Sequence, residues 1–290
     1  MRSADQPVAR RVRGAAADDP LRGAVIKFSL SGFRIRRFGP PAVAGIVLLL
    51  AWELLPGAFG VSELLIPPAS KVAHALWNAF KGGIIVGNFG VTLLEALSGF
   101  AIGSTAGVVC AALLTRSKTV ETALMPYLVG LQALPKVALA PLLVVWLGFG
   151  IGSKIAIATI ISFFPVLINS IVGFTTIESE KMELMHSLVA SKWQTFRIVV
   201  FPNALPFIFA GLNVAIVFSI TGALVGEFIG ADKGLGHVLM QLNFSMDIAG
   251  MFAILVVLAV MGFTFYAVVR ALHRRVVFWA EPDNLDRDAT

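Results

Sequence analysis

The sequence predicts an all-α membrane protein with six transmembrane helices, and three of its features support this fold class. Hydrophobic residues make up 57% of the 290 residues and charged residues only 14%, against about 45–50% and about 25% in a typical soluble domain. Uncharged stretches of about 20 residues, the length that crosses the hydrocarbon core of a bilayer, recur along the chain. Lysine and arginine are concentrated in alternate connections between these stretches, as in multi-pass membrane proteins.

The uncharged stretches define the predicted spans. We expect transmembrane helices at residues 40–59, 89–115, 121–147, 154–174, 204–228 and 248–271. The third span contains Lys136 between Pro135 and Pro141. Because proline breaks backbone hydrogen bonds that lipid cannot replace, we predict a broken helix here that packs inside protein or lines a wet cavity. Pro165, in the fourth span, predicts either a second break or an ordinary kink.

Lysine and arginine also set the predicted orientation. With the N-terminus inside, 18 of the 23 lie in cytoplasmic segments, whereas Lys154 and three other lysines fall outside. This positive-inside asymmetry places both termini in the cytoplasm. The net charge of +6 therefore reflects membrane topology and does not indicate nucleic-acid binding, although the basic N-terminal tail can approach anionic lipid headgroups.

Three regions follow from this topology. Residues 1–39 are a basic cytoplasmic tail, 40–275 a transmembrane domain and 276–290 a cytoplasmic C-terminal tail. After Pro68, between the first two spans, apolar residues at helical spacing predict a short amphipathic helix on the outer membrane surface. The cytoplasmic loop 175–203 predicts a helical hairpin, because its apolar residues follow helical spacing and its acidic residues precede its basic ones.

The inner loop resembles the EAA loop of bacterial ABC importer permeases. Glu183 takes the position of the family's glutamate, Val189 that of its glycine, and Pro202 that of its closing proline. Leu184 and Met185 stand where the family has small residues. Because valine is β-branched, we expect a more helical path at Val189 than glycine would give. Segments similar to the nitrate/sulfonate/taurine group of these permeases are residues 134–141, 146–150, 225–228 and 232–236.

The resemblance implies the fold of a type I ABC importer permease in the bacterial inner membrane. It also implies three protein partners: a second copy of the chain, a cytoplasmic ATPase dimer that binds the ATP, and an extracytoplasmic substrate-binding protein. We expect the chain itself to be no enzyme and to hold no cofactor, because no segment fits the phosphate-binding pattern G-x-x-x-x-G-K-[ST]. The expected solute is small and anionic or polar, like nitrate, a sulfonate or taurine. The alternative is a thiamine-precursor pyrimidine or a similar neutral nutrient.

In such a permease, a helix over residues 180–197 would insert into a groove of the ATPase and transmit its closure. Leu188 and Trp193 are expected to pack the loop onto its own helix bundle. A plain solvated hairpin is the alternative, and the family spacing favours the ATPase contact. The residues expected to contact the ATPase are Glu183, His186, Ser187, Ala190, Ser191 and Lys192.

Ionisable residues and prolines within spans are the candidates for the translocation path, because such residues usually mark paths or buried pairs. These candidates are Pro135, Lys136, Pro141, Glu95 and Glu227. Lys136 could attract an anion, or it could pair with Glu53 or Glu95. Glu227 lies at the outer end of the fifth span, which favours a structural role. No metal or catalytic site is predicted, because the histidines and aspartates lie outside the spans without a cluster of ligands.

Two other classes of protein share a multi-span pattern. A membrane-embedded enzyme needs paired catalytic groups at one depth, and every aspartate lies outside the predicted spans. An ion-coupled secondary transporter usually carries a chain of buried carboxylates, and the spans contain few. Neither class explains the pattern of the inner loop.

Overall fold

The computed structural model describes residues 30–279, and every regular element in that range is helical. The short elements include a 3₁₀ turn at Lys136–Leu139 and a π turn at Phe196–Val200. The predicted all-α fold class is confirmed. The helices are α1 (Leu30–Ala58), α2 (Ala69–Lys81), α3 (Ile84–Leu114), α4 (Lys118–Ala133), α5 (Ala140–Leu147), α6 (Ile151–Thr175), α7 (Ser179–Ser187), α8 (Lys192–Thr195), α9 (Phe201–Gly230), α10 (Leu235–Phe244) and α11 (Ile248–Val276).

The chain divides into two compact units, Met1–Ala51 and Trp52–Thr290. The described part of the first unit is the stretch of α1 that precedes Trp52. The second unit holds the remaining helices and the sites described below. Most of the predicted tails, 1–39 and 276–290, lies outside the described residues, and the division into three regions stays a prediction.

Within residues 30–279, four helices are long and apolar enough to cross a membrane: α3, α6, α11 and the continuous helix Lys192–Gly230, which consists of α8, the π turn and α9. The pair formed by α4 and Lys136–Leu147 is bent by 80° and makes a fifth span if it crosses as one broken element. The first predicted span corresponds to the last part of α1, where the apolar stretch Val43–Ala58 is shorter than the four spanning helices. The multi-pass fold is therefore confirmed, whereas the number six stays a prediction.

The third predicted span is broken where the sequence predicts the break. α4 ends at Ala133, the 3₁₀ turn follows Pro135, and Pro141 stands in the first turn of α5. A proline is tolerated at that position because the first turn of a helix leaves its N–H groups unpaired in any case. By contrast, α6 continues through Pro165 without interruption, so this proline does not break its span.

The centre of the fold is a tight packing of α3, α6 and α9 around glycines. A Cβ at Gly103 of α3 would lie 2.6 Å from the carbonyl oxygen of Thr159 on α6. A Cβ at Gly222 of α9 would lie 2.6 Å from the Cα of Ala158, also on α6. In a membrane, where burial from water contributes little between helices, small residues let the backbones approach and pack by van der Waals contact.

Two apolar clusters lie toward opposite ends of α9. One includes Ile220 of α9, Leu235 of α10 and Leu258 of α11, and α2 packs against it. The short helix predicted after Pro68 is thereby confirmed as α2. The other cluster includes Leu167 of α6 and Ile208 of α9 and lies next to the inner loop. α9 therefore connects the inner loop to the opposite end of the unit.

Candidate functional site

The inner loop folds as two short helices joined by a tight turn. α7 ends at Ser187 and α8 begins at Lys192, so the predicted helical hairpin is confirmed, whereas the segment 180–197 that was expected to insert as one helix is interrupted. The break has a local cause. The Gln194 N–H donates to the Ser191 hydroxyl at 3.3 Å, and the Ser191 N–H donates to the Gln194 side-chain oxygen at 2.8 Å. This reciprocal capping box starts a new helix at Lys192.

Val189 forms the turn between α7 and α8. Its φ of 54° lies in the left-handed region, which costs a residue with a side chain about 1–2 kcal/mol. The prediction that valine would impose a helical path is therefore wrong, because Val189 keeps a conformation that normally favours glycine. The turn is closed by two backbone hydrogen bonds of 3.0 Å, from Val189 N–H to the His186 oxygen and from Ala190 N–H to the Met185 oxygen.

Large apolar side chains are exposed along the loop. Leu184, Leu188, Val189 and Trp193 are each 60–90% exposed, and we call these four residues the apolar loop surface. The prediction that Leu188 packs onto the bundle is wrong, because α7 buries Met185 instead, whereas Trp193 is largely exposed and contacts the bundle only by stacking on Phe196. Sequence reasoning missed this set as contact residues. The signal was present, since all four are apolar residues within an otherwise polar loop.

The six residues predicted to contact an ATPase all lie on this loop. The side chains of Glu183, His186 and Lys192 are exposed beside the apolar loop surface. Ser187 is exposed too, and its hydroxyl donates to the Glu183 backbone oxygen at 3.0 Å. Ser191 is exposed and caps α8, while Ala190 is half-buried in the turn. The loop thus brings the predicted residues together, and their role toward an ATPase stays a prediction.

An aromatic cluster connects the loop to the long helices. The Trp193 ring stacks on Phe196 with 5.8 Å between ring centroids. Phe196 in turn lies 5.9 Å from Phe174 at the end of α6 and 6.0 Å from Phe201 at the start of α9. Displacement of the loop would therefore act directly on α6 and α9.

Lys136 lies at the break between α4 and α5. Its ammonium donates to the Gln132 backbone oxygen at 2.6 Å and lies 4.8 Å from the centroid of the Phe164 ring. The predicted alternative of a pair with Glu53 or Glu95 is wrong. Glu53 instead accepts hydrogen bonds from the Ser70 N–H and hydroxyl, at 2.9 and 2.8 Å, and Glu95 is buried beside Glu227.

A cluster of buried polar residues joins α3, α6 and α9. Glu95, Lys154 and Glu227 are only 1–3% exposed, and with Asn88 and Thr92 they form what we call the buried polar cluster. The Lys154 ammonium donates to the backbone oxygens of Phe149, five residues before it, and of Gly230 at the end of α9. Sequence reasoning counted Lys154 only as an outer lysine and missed its burial.

The buried polar cluster caps the N-terminus of α10. Gly234 N–H donates to Asn88 Oδ1 and Leu235 N–H donates to Thr92 Oγ1, both at 2.8 Å. Gly236 N–H donates to Glu227 Oε2 at 2.5 Å. These donors belong to the first turn, where a helix has no partners of its own and favours negative charge. A structural role for Glu227, as expected from its position, agrees with this geometry.

Gly234 and Gly236 make this capping arrangement possible. Gly234 has a φ of 117°, which a residue with a side chain rarely adopts. A Cβ at Gly236 would lie 2.7 Å from the Glu227 carboxylate, and a Cβ at Gly234 would overlap the same group. The resemblance of residues 225–228 and 232–236 to the nitrate/sulfonate/taurine group of permeases therefore has a physical basis. The first segment supplies the carboxylate, and the second supplies the glycines that let the N-terminus of α10 reach it.

A polar groove opens between α2, α10 and the start of α11. Its volume is about 720 Å³, and its lining includes Lys71, His74, Asn78, Gln241 and Asp247. Lys71 forms an ion pair with Glu63. In residues 30–279, no three histidine, cysteine, aspartate or glutamate side chains lie close enough to hold a metal ion.

Comparison with known proteins identifies the family. Residues 103–278, more than half of the chain, match the binding-protein-dependent transport system inner membrane component. The riboflavin transport system permease protein RibX of Chloroflexus aurantiacus is 34% identical over 251 residues, which cover 87% of this chain and 93% of that protein. The chain belongs to the ABC importer permeases. The resemblance of the inner loop to this family is thereby confirmed.

Other relatives of this permease differ in the solutes they are named for. The formylaminopyrimidine transport permease protein ThiX of Halalkalibacterium halodurans is 29% identical and covers 82% of this chain and 95% of its own. Among solved structures, an amino acid ABC transporter matches with a TM-score of 0.57 at 18% identity, covering 69% of this chain and 96% of its own. That match supports the fold of the permease.

Proposed function

We propose that this permease is the membrane-spanning subunit of an ATP-driven nutrient importer and that its inner loop binds a separate cytoplasmic ATPase dimer. The observation that carries this proposal is the apolar loop surface, with Leu188 66% and Val189 90% exposed. Exposed apolar residues rimmed by polar ones are typical of interaction sites. Glu183, His186 and Lys192 supply such a rim.

The contacts of the loop suggest how ATPase closure would act on the spans. Trp193 and Phe196 link the loop to Phe174 of α6 and Phe201 of α9. A push on the loop would therefore move these two helices, which are packed tightly against α3. Such a movement would shift the permease between inward-open and outward-open states, as alternating access requires.

The orientation follows from the charge asymmetry of the sequence. Both termini and the inner loop would face the cytoplasm of a bacterial cell, with the permease in its inner membrane. The groove lined by Lys71, His74 and Gln241 would then face outside. Its mixture of charged and amide side chains suits a polar protein surface, and we assign it to contact with the substrate-binding protein.

A second copy of the chain would complete the translocation path. α4 has no buried residue within its own chain, and Tyr127, Val145 and Trp146 of the bent pair are 71–79% exposed. A two-fold axis is the commonest symmetry of protein oligomers. We place the break between Pro135 and Pro141 at this axis, where its freed backbone groups would line a wet cavity instead of facing lipid.

The coupling to ATP is tested by reconstitution. Liposomes that contain the permease with a candidate ATPase, supplied with a candidate binding protein, should take up solute only when ATP is present on the side of the membrane that holds the ATPase. Ionophores that dissipate proton and sodium gradients should leave the initial rate unchanged. Uptake by the permease alone, driven by an ion gradient, would instead identify an ion-coupled secondary transporter.

Two solute classes are consistent with these observations. A small anion would benefit from the positive charge of Lys136 at the break of the third span. A neutral heterocycle is favoured by the solutes that two relatives are named for, riboflavin and formylaminopyrimidine. It is also favoured by the position of the Lys136 ammonium over the Phe164 ring, where its charge is already engaged.

Substitution of Lys136 by methionine separates the two classes. Methionine keeps most of the bulk of the side chain and removes the charge. The attraction of that charge for an anion at about 4 Å is about 1 kcal/mol in bulk water and about 4 kcal/mol in a site that partly excludes water. Uptake of an alkanesulfonate should therefore fall about tenfold, since that factor corresponds to about 1.4 kcal/mol. Uptake of a neutral pyrimidine should not change.

The control for Lys136→Met is Lys118→Met, which removes an exposed lysine from the other end of α4. Basal ATP hydrolysis of the assembled complex reports whether each variant still binds the ATPase. Equal rates for Lys136→Met and the unmodified permease with every anion tested would remove Lys136 from the path and leave the neutral heterocycle as the proposal.

A further inference from the structure

The buried polar cluster contains more acid than base. Glu95 on α3, Lys154 on α6 and Glu227 on α9 are 2%, 3% and 1% exposed. With all three ionised, the cluster would carry a net charge of −1 in the interior of the protein. An uncompensated charge in such a site is strongly unfavourable, and the usual outcome is that one group is neutralised.

Lys154 does not neutralise either glutamate by a direct ion pair. Its ammonium donates hydrogen bonds to the backbone oxygens of Phe149 and Gly230. Gly226 leaves room for the lysine stem, because a Cβ at Gly226 would lie 2.8 Å from Lys154 Cγ. Lys154 is therefore held by neutral acceptors. Its positive charge acts on both glutamates through space and pairs directly with neither.

Glu227 has the surroundings of an ionised carboxylate. Thr92 Oγ1 donates to its Oε1 at 2.6 Å, and Gly236 N–H donates to its Oε2 at 2.5 Å. Both of its oxygens thus accept hydrogen bonds. It also lies at the N-terminus of α10, where the aligned peptide dipoles favour negative charge.

Glu95 has the opposite surroundings. Glu95 lies one turn along α3 from Thr92, whose hydroxyl donates to Glu227, so the two buried carboxyl groups are neighbours. Glu95 Oε2 is buried without a hydrogen-bond donor. An ionised Glu95 would repel Glu227 and would leave a buried charged oxygen without a donor. A protonated Glu95 can donate its proton to Glu227, and the oxygen that it leaves without a donor is then uncharged.

We propose that Glu95 and Glu227 form a proton-binding site in which Glu95 carries the proton and donates it to the ionised Glu227. The cluster is then neutral, with one carboxylic acid, one carboxylate and one ammonium group. Glu95 acts as a positioning residue: it holds the Glu227 carboxylate where it caps α10, and the bound proton thereby fastens α10 to α3 and α9.

This site predicts how stability depends on pH. The folded protein keeps a proton on Glu95, which the unfolded chain releases above about pH 4.3, the ordinary value for glutamate. Stability falls with rising pH wherever the folded state binds more protons than the unfolded state. The other titratable groups on α3, α6, α9 and α10 are Cys110, Lys154, Glu227 and the half-buried His237. Asp232 and Lys233, in the connection between α9 and α10, and Lys71, His74 and Lys81, on α2, are exposed.

The first test compares melting temperatures of the full-length protein in detergent from about pH 5 to about pH 9. Glu95→Gln replaces the acid by an amide that donates to Glu227 at every pH. It should match the unmodified protein at low pH and exceed it at high pH, by on the order of 5 °C. Glu95→Leu, which keeps the bulk and loses the donor, should melt lower at every pH, and exposed Glu180→Gln should follow the unmodified protein throughout.

Two further results decide which glutamate holds the proton. Glu227→Gln should melt lower than Glu95→Gln, because it removes the charge that caps α10. Infrared spectra at neutral pH should contain the carbonyl band of a buried carboxylic acid, which Glu95→Gln abolishes. The proposal is overturned if this band is absent from the unmodified protein, or if Glu95→Gln is as destabilised as Glu95→Leu.

Discussion

Replacing Leu188 with aspartate is expected to abolish ATP-driven uptake while the protein remains folded and inserted. Leu188 is 66% exposed, so the substitution disturbs no internal packing. At an interface with the ATPase, by contrast, it would remove an apolar anchor and bury a charge without a partner. Such a change typically costs about 2 kcal/mol or more, which corresponds to about a 30-fold loss of affinity.

The control for Leu188→Asp is Glu180→Gln in the first turn of α7, an exposed side chain outside the apolar loop surface. Glutamine keeps the size of glutamate and removes no apolar contact. This variant should keep uptake and ATPase binding within about twofold of the unmodified permease, because such surface substitutions usually change free energies by less than about 0.5 kcal/mol. Co-purification with the ATPase and stimulated ATP hydrolysis measure both effects. Normal coupling in Leu188→Asp would remove the apolar loop surface from the ATPase contact.

Replacing Gly103 with leucine is expected to prevent folding of the second unit. A Cβ alone at this position would lie 2.6 Å from the Thr159 carbonyl oxygen, which belongs to the backbone of α6 and cannot rotate away. The remaining atoms of leucine would have to separate α3 from α6. Overpacking commonly costs about 1–3 kcal/mol, and separating two central helices exceeds that in a protein whose whole stability is about 5–15 kcal/mol.

The control for Gly103→Leu lies on the same helix. A Cβ at Gly90 of α3 would have no atom within 4 Å, and leucine favours a helix over glycine by about 0.8–1 kcal/mol. Gly90→Leu should therefore give a monodisperse protein of normal or higher melting temperature, whereas Gly103→Leu should give aggregated or degraded protein. Equal yields and melting temperatures for the two variants would contradict the glycine-mediated packing of α3 on α6.

The sequence predicted those features that depend on composition and on local chain chemistry. Long uncharged stretches identified the helices of a membrane protein, and Pro135 located the break of the third span. The short helix α2 followed from apolar spacing after Pro68. The break in the inner loop was also local, since Ser191 and Gln194 have the spacing of a capping box, but sequence reasoning did not use this signal.

Features that depend on distant residues could not be predicted in the same way. Lys154 is buried because two backbone oxygens, those of Phe149 and Gly230, accept from its ammonium. The capping of α10 by Glu227 requires α3 and α9 to bring side chains to one helix terminus. The left-handed conformation of Val189 is imposed by the helices on either side of it, against the preference of valine.

The helix Lys192–Gly230 carries Trp193 of the apolar loop surface near its start and Glu227 of the proton-binding site near its end. It contains 39 residues and is therefore about 58 Å long at 1.5 Å per residue. A displacement of this helix can start at either end. The coupling free energy between two binding events is the same whichever event comes first. If ATPase binding at Trp193 displaces the helix along its length, it must alter the proton affinity at Glu95, and the proton must alter the affinity for the ATPase by the same factor. The π turn Phe196–Val200 is the segment of this helix with the wider hydrogen-bond register. How easily this turn deforms would determine how strongly ATPase binding and proton binding are coupled.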